Sequence, residues 1–351
     1  MPKLRIKRGE GAAGLIEKAS VIADARHKSE IRALRRTVQD LTRQATADHN
    51  RSEVVAALKA RPRRPVPLRY KKNLHRRVAT PVILCSDWHV GERVRADKVN
   101  GTNHYDQHEA AHRAHRLATA LLWLNDHHRN GFEIREQVVW LGGDLITGFL
   151  HPDQAQSNTL PPNKEVLLVQ DLVGHLLDSV LSMPGMERVT VVCNYGNHGR
   201  TTPKPQIATG AENSFEWLLY HQIARNYAKD NRVVFQIANG EFSRLRVHRT
   251  DLGFTHGDAI KYGGGVGGVM VPVMRALPRW DSYGACDMWN MGHFHWYHSL
   301  PRVTINSSMI GVSPYGMRVG SNEPPSQAYY LVDSERGPCH NTAVWLAGGK
   351  K

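Results

Sequence analysis

The chain has 351 residues, 41% of them hydrophobic, and a formal net charge of +14. That is enough apolar sequence for one sizeable domain and an appendage, but no run approaches the roughly 20 apolar residues that span a bilayer. The four cysteines, Cys85, Cys193, Cys286 and Cys339, are far apart and form no C-x-x-C pair, which excludes a disulfide framework or zinc–cysteine site and points to a reducing compartment.

Met1–Arg5 has no apolar h-region after it, so the sequence predicts a soluble, cytoplasmic protein without a signal peptide and without a membrane partner. The charge is placed unevenly. Of the chain's 46 Lys and Arg and 32 Asp and Glu, 21 and 7 fall within residues 1–80, which leaves 25 of each in residues 81–351. A basic arm on a neutral body predicts a polyanionic partner, most simply nucleic acid, engaged through residues 1–79. A solubilising arm is the bland alternative.

Residues 1–27 show little periodicity. A helix is predicted from Lys28 to about His49, where Ile31, Leu34, Val38, Leu41 and Ala45 are spaced 3, 4, 3, 4. This is an a/d seam of two heptads. It offers residues 31–45 to a second copy or another protein partner, or to the chain's own body. Ser52 is expected to cap a second short helix through Ala60. Arg61-Pro62-Arg63-Arg64-Pro65-Val66-Pro67 then reads as an extended linker. The expected division is a basic helical arm and linker over residues 1–79 and a body over residues 80–351.

The body opens with a strand, Pro81–Cys85, that runs into Asp87 and His89. In an extended strand end, i and i+2 point the same way, so a carboxylate and an imidazole reach one point, a start on a metal site. A helix is predicted over Gln107–His128 with an apolar stripe at Ala110, Ala114, Leu117, Leu121 and Leu124. It contains His108-Glu109-Ala110-Ala111-His112, the H-E-x-x-H pattern of zinc proteases. Those histidines share their face with His115 and Arg116, opposite the apolar stripe, so a solvent-facing polar surface is expected there. A strand over Gln137–Leu141 follows, and Gly142-Gly143 turn the chain to deliver Asp144.

A helix is predicted over about Lys164–Met183. The strand Arg188–Cys193 leads into Asn194-Tyr195-Gly196-Asn197-His198-Gly199-Arg200, and another helix spans about Asn213–Asn226. Val233–Ile237 and Phe242–Val247 are expected to begin a second sheet. Asp251–Thr255 leads to His256-Gly257-Asp258. The glycine run 263–268 contains G-x-G-x-x-G but has no acidic partner at dinucleotide spacing. It reads as a chain reversal, or as a loop beside the site whose backbone approaches a phosphate. Asp287–Met291 leads to Gly292-His293-Phe294-His295, and Val303–Ile310 and Ala328–Val332 read as closing strands. Strand–helix alternation followed by strand-rich sequence predicts a mixed α/β fold with its functional loops at the carboxyl ends of strands.

The blocks Asp-x-His, Gly-Asp, Gly-Asn-His, His-Gly and Gly-His-x-His, in that order over residues 82–295, resemble the calcineurin-like metallophosphoesterase superfamily. The resemblance covers about residues 80–335. It implies a two-sheet sandwich flanked by helices and two divalent metal ions about 3.5–4 Å apart. Carried over block by block, Asp87, His89 and His295 would hold the first ion, and Asn197, His256 and His293 the second, with Asp144 bridging them. Mixed O/N donors without sulfur suit Mn²⁺, with Fe²⁺ or Zn²⁺ as alternatives. The pair would activate a bridging water for attack on phosphorus. His198 would lie on the leaving-group side as general acid or charge stabiliser.

The superfamily often has Asp or Glu after Asn-His, where this chain has Gly199-Arg200, so no adjacent acid orients His198. Arg200 is a candidate phosphate contact. Gly143-Asp144-Leu145-Ile146-Thr147-Gly148 lacks the Val-Asp-Arg-Gly-like sequence of protein phosphatases and the tyrosine of purple acid phosphatases. It is more similar to DNA double-strand-break repair exonuclease subunits and their phage-encoded relatives, which would place the chain in the cytoplasm of a bacterial host. The resemblance and the basic arm together imply a nuclease acting on DNA or RNA. The alternatives are a phosphomonoesterase or cyclic-nucleotide phosphodiesterase, and a nucleic-acid-binding or assembly protein on a degenerate phosphoesterase scaffold.

Overall fold

The computed structural model describes residues 12–60, 76–150, 152–261 and 268–347. The expected Pro/Arg linker and nearly all of the glycine run lie outside them. In chain order the elements are α1 (Ala12–Ala60), β1 (Arg77–Cys85), α2 (Gln107–His128), β2 (Phe132–Glu133), β3 (Glu136–Leu141), α3 (Pro152–Ser157), α4 (Pro162–Leu181), β4 (Arg188–Cys193), α5 (Phe215–Asn226), β5 (Val233–Ile237), β6 (Ser243–Val247), β7 (Thr250–Phe254), α6 (Met270–Asp281), β8 (Met288–Met291), β9 (His298–Leu300), β10 (Val303–Ile305), α7 (Pro314–Val319), β11 (Ser326–Asp333) and β12 (Gly337–Trp345). The chain separates into two compact units, Met1–Ser52 and Glu53–Lys351.

The first unit is carried by α1. The two short helices expected before and after Ser52 are one continuous helix. No proline interrupts Ala12–Ala60, and Ser52 does not cap: its hydroxyl donates to Asp48 O at 2.9 Å. Thr37, Thr42 and Thr46 back-bond in the same i to i−4 way, so these polar side chains satisfy themselves without breaking the helix. The seam residues Ile31, Leu34, Val38 and Leu41 are 44%, 64%, 60% and 59% exposed.

In the second unit, β1, β3, β4 and β5 form a parallel core in the order β1-β3-β4-β5. β11 and β12 extend it antiparallel on the other side of β1. The second sheet runs β6-β7-β8-β10-β9, with β7, β8 and β10 parallel. One expectation is corrected here. Val233–Ile237 does not begin the second sheet but pairs in parallel with β4, because sequence adjacency to β6 does not decide pairing in space.

The two sheets face each other. Val82, Leu84, Val138, Trp140 and Val192 from the first meet Leu252, Phe254 and Met288 from the second in one buried cluster. The alternate residues Ile83, Cys85, Val139, Leu141, Val191 and Cys193 are equally buried and point to the opposite face, as strand period two requires. On the far side of the second sheet, Val273, Leu277 and Trp280 of α6 pack against Trp289, Met291, Val303 and Ile305. All four cysteines are unpaired. No helix among the described residues is long and apolar enough to cross a membrane.

Helix starts follow local chemistry. The Asp106 carboxylate accepts from His108 N and Glu109 N at the head of α2, and the Ser214 hydroxyl accepts from Trp217 N at the head of α5, both side-chain N-caps. In the H-E-x-x-H stretch, Glu109 pairs with the buried Arg113 at 2.9 Å, whose guanidinium holds the carbonyls of Met309 and Ile310. Glu109 is thereby committed to anchoring α2. His115 departs from the expected solvent face: its Nδ1 lies 3.1 Å from His175 Nε2 on α4.

Candidate metal centre

Five loops meet where the parallel strands of both sheets end. Hydrogen bonding continues past β1 and β3: Gly142 N donates to Cys85 O at 2.7 Å, Asp87 N to Gly143 O at 3.0 Å and His89 N to Asp144 O at 3.0 Å. This sets the β1 loop directly beside the β3 loop. Gly143 has φ +85, and a Cβ there would strike the Gly196 backbone, so the β4 loop closes in only because residue 143 is glycine.

Asp87 and His89 do not reach the centre by strand alternation. Their φ values are 56 and 48, and Asp144, His293 and His295 are likewise left-handed at 50, 70 and 58. Among the described residues these are five of eight non-glycine residues with positive φ. Such conformations cost on the order of 1–3 kcal/mol each and concentrate at functional sites.

The side chains gather in three overlapping groups of donor atoms, each within 4.8 Å: Asp87, His89 and His295; Asp144, His256 and His293; and His89, Asp144 and His198. His89 Nε2 lies 3.1 Å from His295 Nε2, and His295 Nε2 lies 3.5 Å from Asp87 Oδ1. His256 Nε2 lies 3.0 Å from Asp144 Oδ2 and 3.2 Å from Asn197 Oδ1. Asp144 and His89 each belong to two of the three groups, and Asp144 is the only carboxylate that does.

Every predicted ligand is therefore at the centre, and His198 is with them. Its N–H donates to Asp144 Oδ1 at 2.8 Å and its ring Nδ1 lies 3.0 Å from Thr147 O. Arg200 sits at the edge, its guanidinium donating to the carbonyls of Asn197 and Thr202.

The donors fit a divalent cation. They are oxygens and imidazole nitrogens without sulfur, and the buried Nδ1 of His89 has no hydrogen-bond partner. Burial and the neighbouring histidines hold His89 well below its ordinary pKa, and burial with His256 holds His293 at about 4. Both rings are thus neutral with a lone pair to offer. Burial pushes the Asp144 carboxyl up, but His256 and His198 outweigh it and hold it well below the carboxylate range. His256 and His295 are raised against their burial by Asp144 and Asp87 respectively, so binding a dication releases protons there.

Outer contacts fix the donors. His256 Nδ1 lies 2.7 Å from Gly142 O, which leaves Nε2 facing the centre. His293 N donates to both Asp87 oxygens at 3.0 and 3.1 Å. Ser86 Oγ donates to Asp87 Oδ2 at 2.5 Å and accepts from Asn306 Nδ2 at 2.9 Å. Gln327 accepts from Ser86 N and Trp88 Nε1 and donates to the carbonyls of Ser86 and Ser307.

Sequence reading missed these residues, and missed two buried acids behind the loops. Glu165 on α4 accepts from Gly148 N at 2.8 Å. Glu216 on α5 accepts from Leu145 N and Gly196 N; burial and the nearby Asp144 raise it to about 7. Their only sequence signal is an acid in the first turn of a helix.

Two facing sheets with Asp-x-His, Gly-Asp, Gly-Asn-His, His-Gly and Gly-His-x-His at the ends of β1, β3, β4, β7 and β8 decide the architecture. The chain has the two-sheet sandwich that its resemblance to the calcineurin-like metallophosphoesterases implies.

No family model matches the sequence, and no curated protein matches it. Among solved structures, Vps29 from Entamoeba histolytica, complexed with Zn²⁺, matches with TM-score 0.31 and 13% identity over 75% of this chain and 99% of that one. A predicted phosphoesterase from Streptococcus pneumoniae matches with TM-score 0.29 and 10% identity over 76% and 98%. A hypothetical protein from Pyrococcus horikoshii matches with TM-score 0.35 and 12% identity over 76% and 88%. Likeness this distant carries no inference about chemistry.

Proposed function

We propose that this chain is a metal-dependent phosphodiesterase that cleaves nucleic acid. The carrying observation is the donor set: Asp87, His89 and His295 in one group, Asp144, His256 and His293 in another with Asn197 Oδ1 beside it, and Asp144 central to the whole. A degenerate scaffold would be expected to lack one of these side chains. Asp87, His89 and His295 would hold one divalent ion, and Asn197, His256 and His293 a second, with Asp144 shared; Mn²⁺ suits the donors, as do Fe²⁺ and Zn²⁺. Such ions supply water activation at neutral pH and neutralisation of charge developing on the phosphoryl oxygens.

The chain's own residues set up the rest. Asp144 remains ionised and orients the Asn197–His198 backbone. His198 is held through Nδ1 on the Thr147 carbonyl, which leaves Nε2 as the atom that would carry a proton to the leaving group. As the water oxygen bonds to phosphorus and the ester P–O bond breaks, a proton on Nε2 would pass to the departing oxygen. Arg200 buttresses the loop through Asn197 O and remains the candidate contact for a phosphate at its rim.

The nucleic-acid part of the reading rests on the arm. Arg32, Arg36 and Arg43 are exposed and fall within a 40° sector of α1 at 100° per residue, opposite the Ile31–Leu34–Val38–Leu41 seam. That seam suits a second copy of the chain. β-branched residues at a with leucines at d favour parallel pairs, and Glu30 at g is complementary to Arg35 at e of the other copy. Pairing there would leave the arginine faces outward for phosphates. The Gly143-Asp144-Leu145 block favours relatives that cut DNA, including phage-encoded ones.

The deciding experiment compares hydrolysis of bis(p-nitrophenyl) phosphate and p-nitrophenyl phosphate with Mn²⁺, Zn²⁺, Mg²⁺ and EDTA. Metal-dependent diester cleavage is expected. A monoester preference would make the enzyme a phosphatase. No turnover with any metal would overturn the enzymatic reading in favour of a nucleic-acid-binding scaffold.

A further inference from the structure

Glu216 sits in the first turn of α5 and is fully buried. Its two oxygens take backbone N–H groups from two different ligand loops: Oε1 accepts from Leu145 N at 2.6 Å and Oε2 from Gly196 N at 2.7 Å. One carboxylate therefore joins the residue after Asp144 to the residue before Asn197. The head of α5 is itself tied to that loop, with Phe215 N donating to Gly199 O at 2.8 Å and Thr201 N to Asn213 O at 2.8 Å.

Gly199 completes the picture. It is absent from the positive-φ glycines, so its backbone does not demand glycine; the space does. A Cβ at 199 would lie 2.7 Å from Glu216 Cγ, 3.1 Å from Cδ and 3.2 Å from Oε2. The glutamate occupies the volume that a side chain at 199 would fill.

We propose that Glu216 is the positioning residue of the centre, a carboxylate delivered from α5 into the place that an acid at position 199 would otherwise occupy, where it fixes the spacing of Asp144 and Asn197. The inference rests on the metal-dependent phosphoesterase reading for its consequence, and on the hydrogen bonds alone for its structural content. It also makes a transposition possible. From Cβ, two C–C bonds of about 1.5 Å carry a glutamate carboxyl carbon about 2.5 Å, close to the 3.1 Å that separates a Cβ at 199 from Glu216 Cδ.

The test compares full-length wild type, Glu216→Ala, Glu216→Gln, Gly199→Glu and the double variant Gly199→Glu/Glu216→Ala. Three readouts are taken: amide hydrogen exchange over 144–148 and 194–200 without metal, Mn²⁺ affinity by calorimetry, and kcat and KM for bis(p-nitrophenyl) phosphate. Glu216→Ala should speed exchange in both segments and weaken Mn²⁺ by about 10–100-fold, the usual effect of losing an outer partner. It should lower kcat while KM stays within about threefold. Gly199→Glu alone should destabilise the fold by overpacking. The double variant should recover slow exchange and at least tenfold of the lost affinity.

Glu216→Gln keeps the volume but presents one donor where two acceptors are needed; it should fall between wild type and Glu216→Ala, and it decides the matter should Glu216→Ala not fold. A double variant no better than Glu216→Ala, or unchanged exchange and affinity in Glu216→Gln, overturns the proposal. If wild type binds no Mn²⁺ and cleaves no ester, the functional reading fails, and exchange in the metal-free variants still judges Glu216.

Discussion

The Nδ1 atom of His198 lies 3.0 Å from the carbonyl oxygen of Thr147, while its ring meets the ring of His89 edge-on at 4.6 Å. The carbonyl can only accept, so Nδ1 carries a proton and Nε2 is the working atom. His198→Ala should then slow cleavage of a diester with an alkoxide leaving group by about 10²–10⁴-fold. A p-nitrophenolate leaving group, which needs no proton, should be cleaved nearly as fast as by wild type. Equal losses on both substrates, with weaker Mn²⁺ binding, would place His198 among the metal donors.

Asp144 is the donor whose loss should matter most, because it is the one carboxylate that stands in two of the three groups, a place it shares with the neutral His89. Asp144→Asn preserves shape and removes the charge. Diester hydrolysis should drop by more than the about 10–100-fold typical of an outer partner, and calorimetry should show fewer bound Mn²⁺ per chain. Treating wild type with EDTA should abolish activity, and added Mn²⁺ should restore it.

The arm has a signature in salt. Replacing Arg32, Arg36 and Arg43 by glutamine should reduce the slope of log K against log salt for duplex DNA by about 0.9 for each phosphate the arm no longer neutralises. Hydrolysis of the small diester should be unaffected. An unchanged slope would remove nucleic acid as the partner of this helix.

The exposed seam predicts association between copies. Sedimentation velocity on the full chain should show mass rising toward a dimer with concentration. Leu34→Glu with Leu41→Glu should hold it monomeric. A wild type that stays monomeric at every concentration would reject self-pairing.

A pH dependence of stability follows from His128, far from the centre. It packs against Tyr329 of β11, His340 of β12 and its neighbour His127. Burial first, then His340 and His127, lowers it from 6.5 to about 4. The unfolded chain takes up the proton near pH 6.5 while the fold resists it until about 4, so this contribution is complete above 6.5 and lost as pH falls through that window. The urea midpoint should decline from pH 6.5 to 4, and less steeply in His128→Phe. Equal slopes in the two proteins would refute the assignment.

Much of the centre was legible because its ligands lie within short motifs at strand ends, where a few types of side chain do one kind of chemistry. The limits of β4 and α2 follow directly from their apolar runs. Glu216, Glu165, Gln327 and Asn306 were not legible, since each acts across the fold on backbone groups that only the folded chain brings near. The path of Asp87 and His89 was misjudged because strand alternation says nothing about the left-handed turns that follow the strand. Ser52 read as a cap because the residue type fits, but a cap needs a break before it, and nothing in Lys28–Arg51 supplies one.

The loops that carry Asp87, His89, Asp144, Asn197 and His198 belong to one sheet, and those that carry His256, His293 and His295 belong to the other. Neither sheet owns a complete set of donors. The centre is consequently a gauge of how the two layers are aligned: a substitution among Leu84, Trp140, Phe254 and Met288, which pack between the layers, would shift one half of the set against the other. Partial opening of the sandwich would part the two halves of the donor set, so the integrity of the metal centre and of the core between the layers are one property.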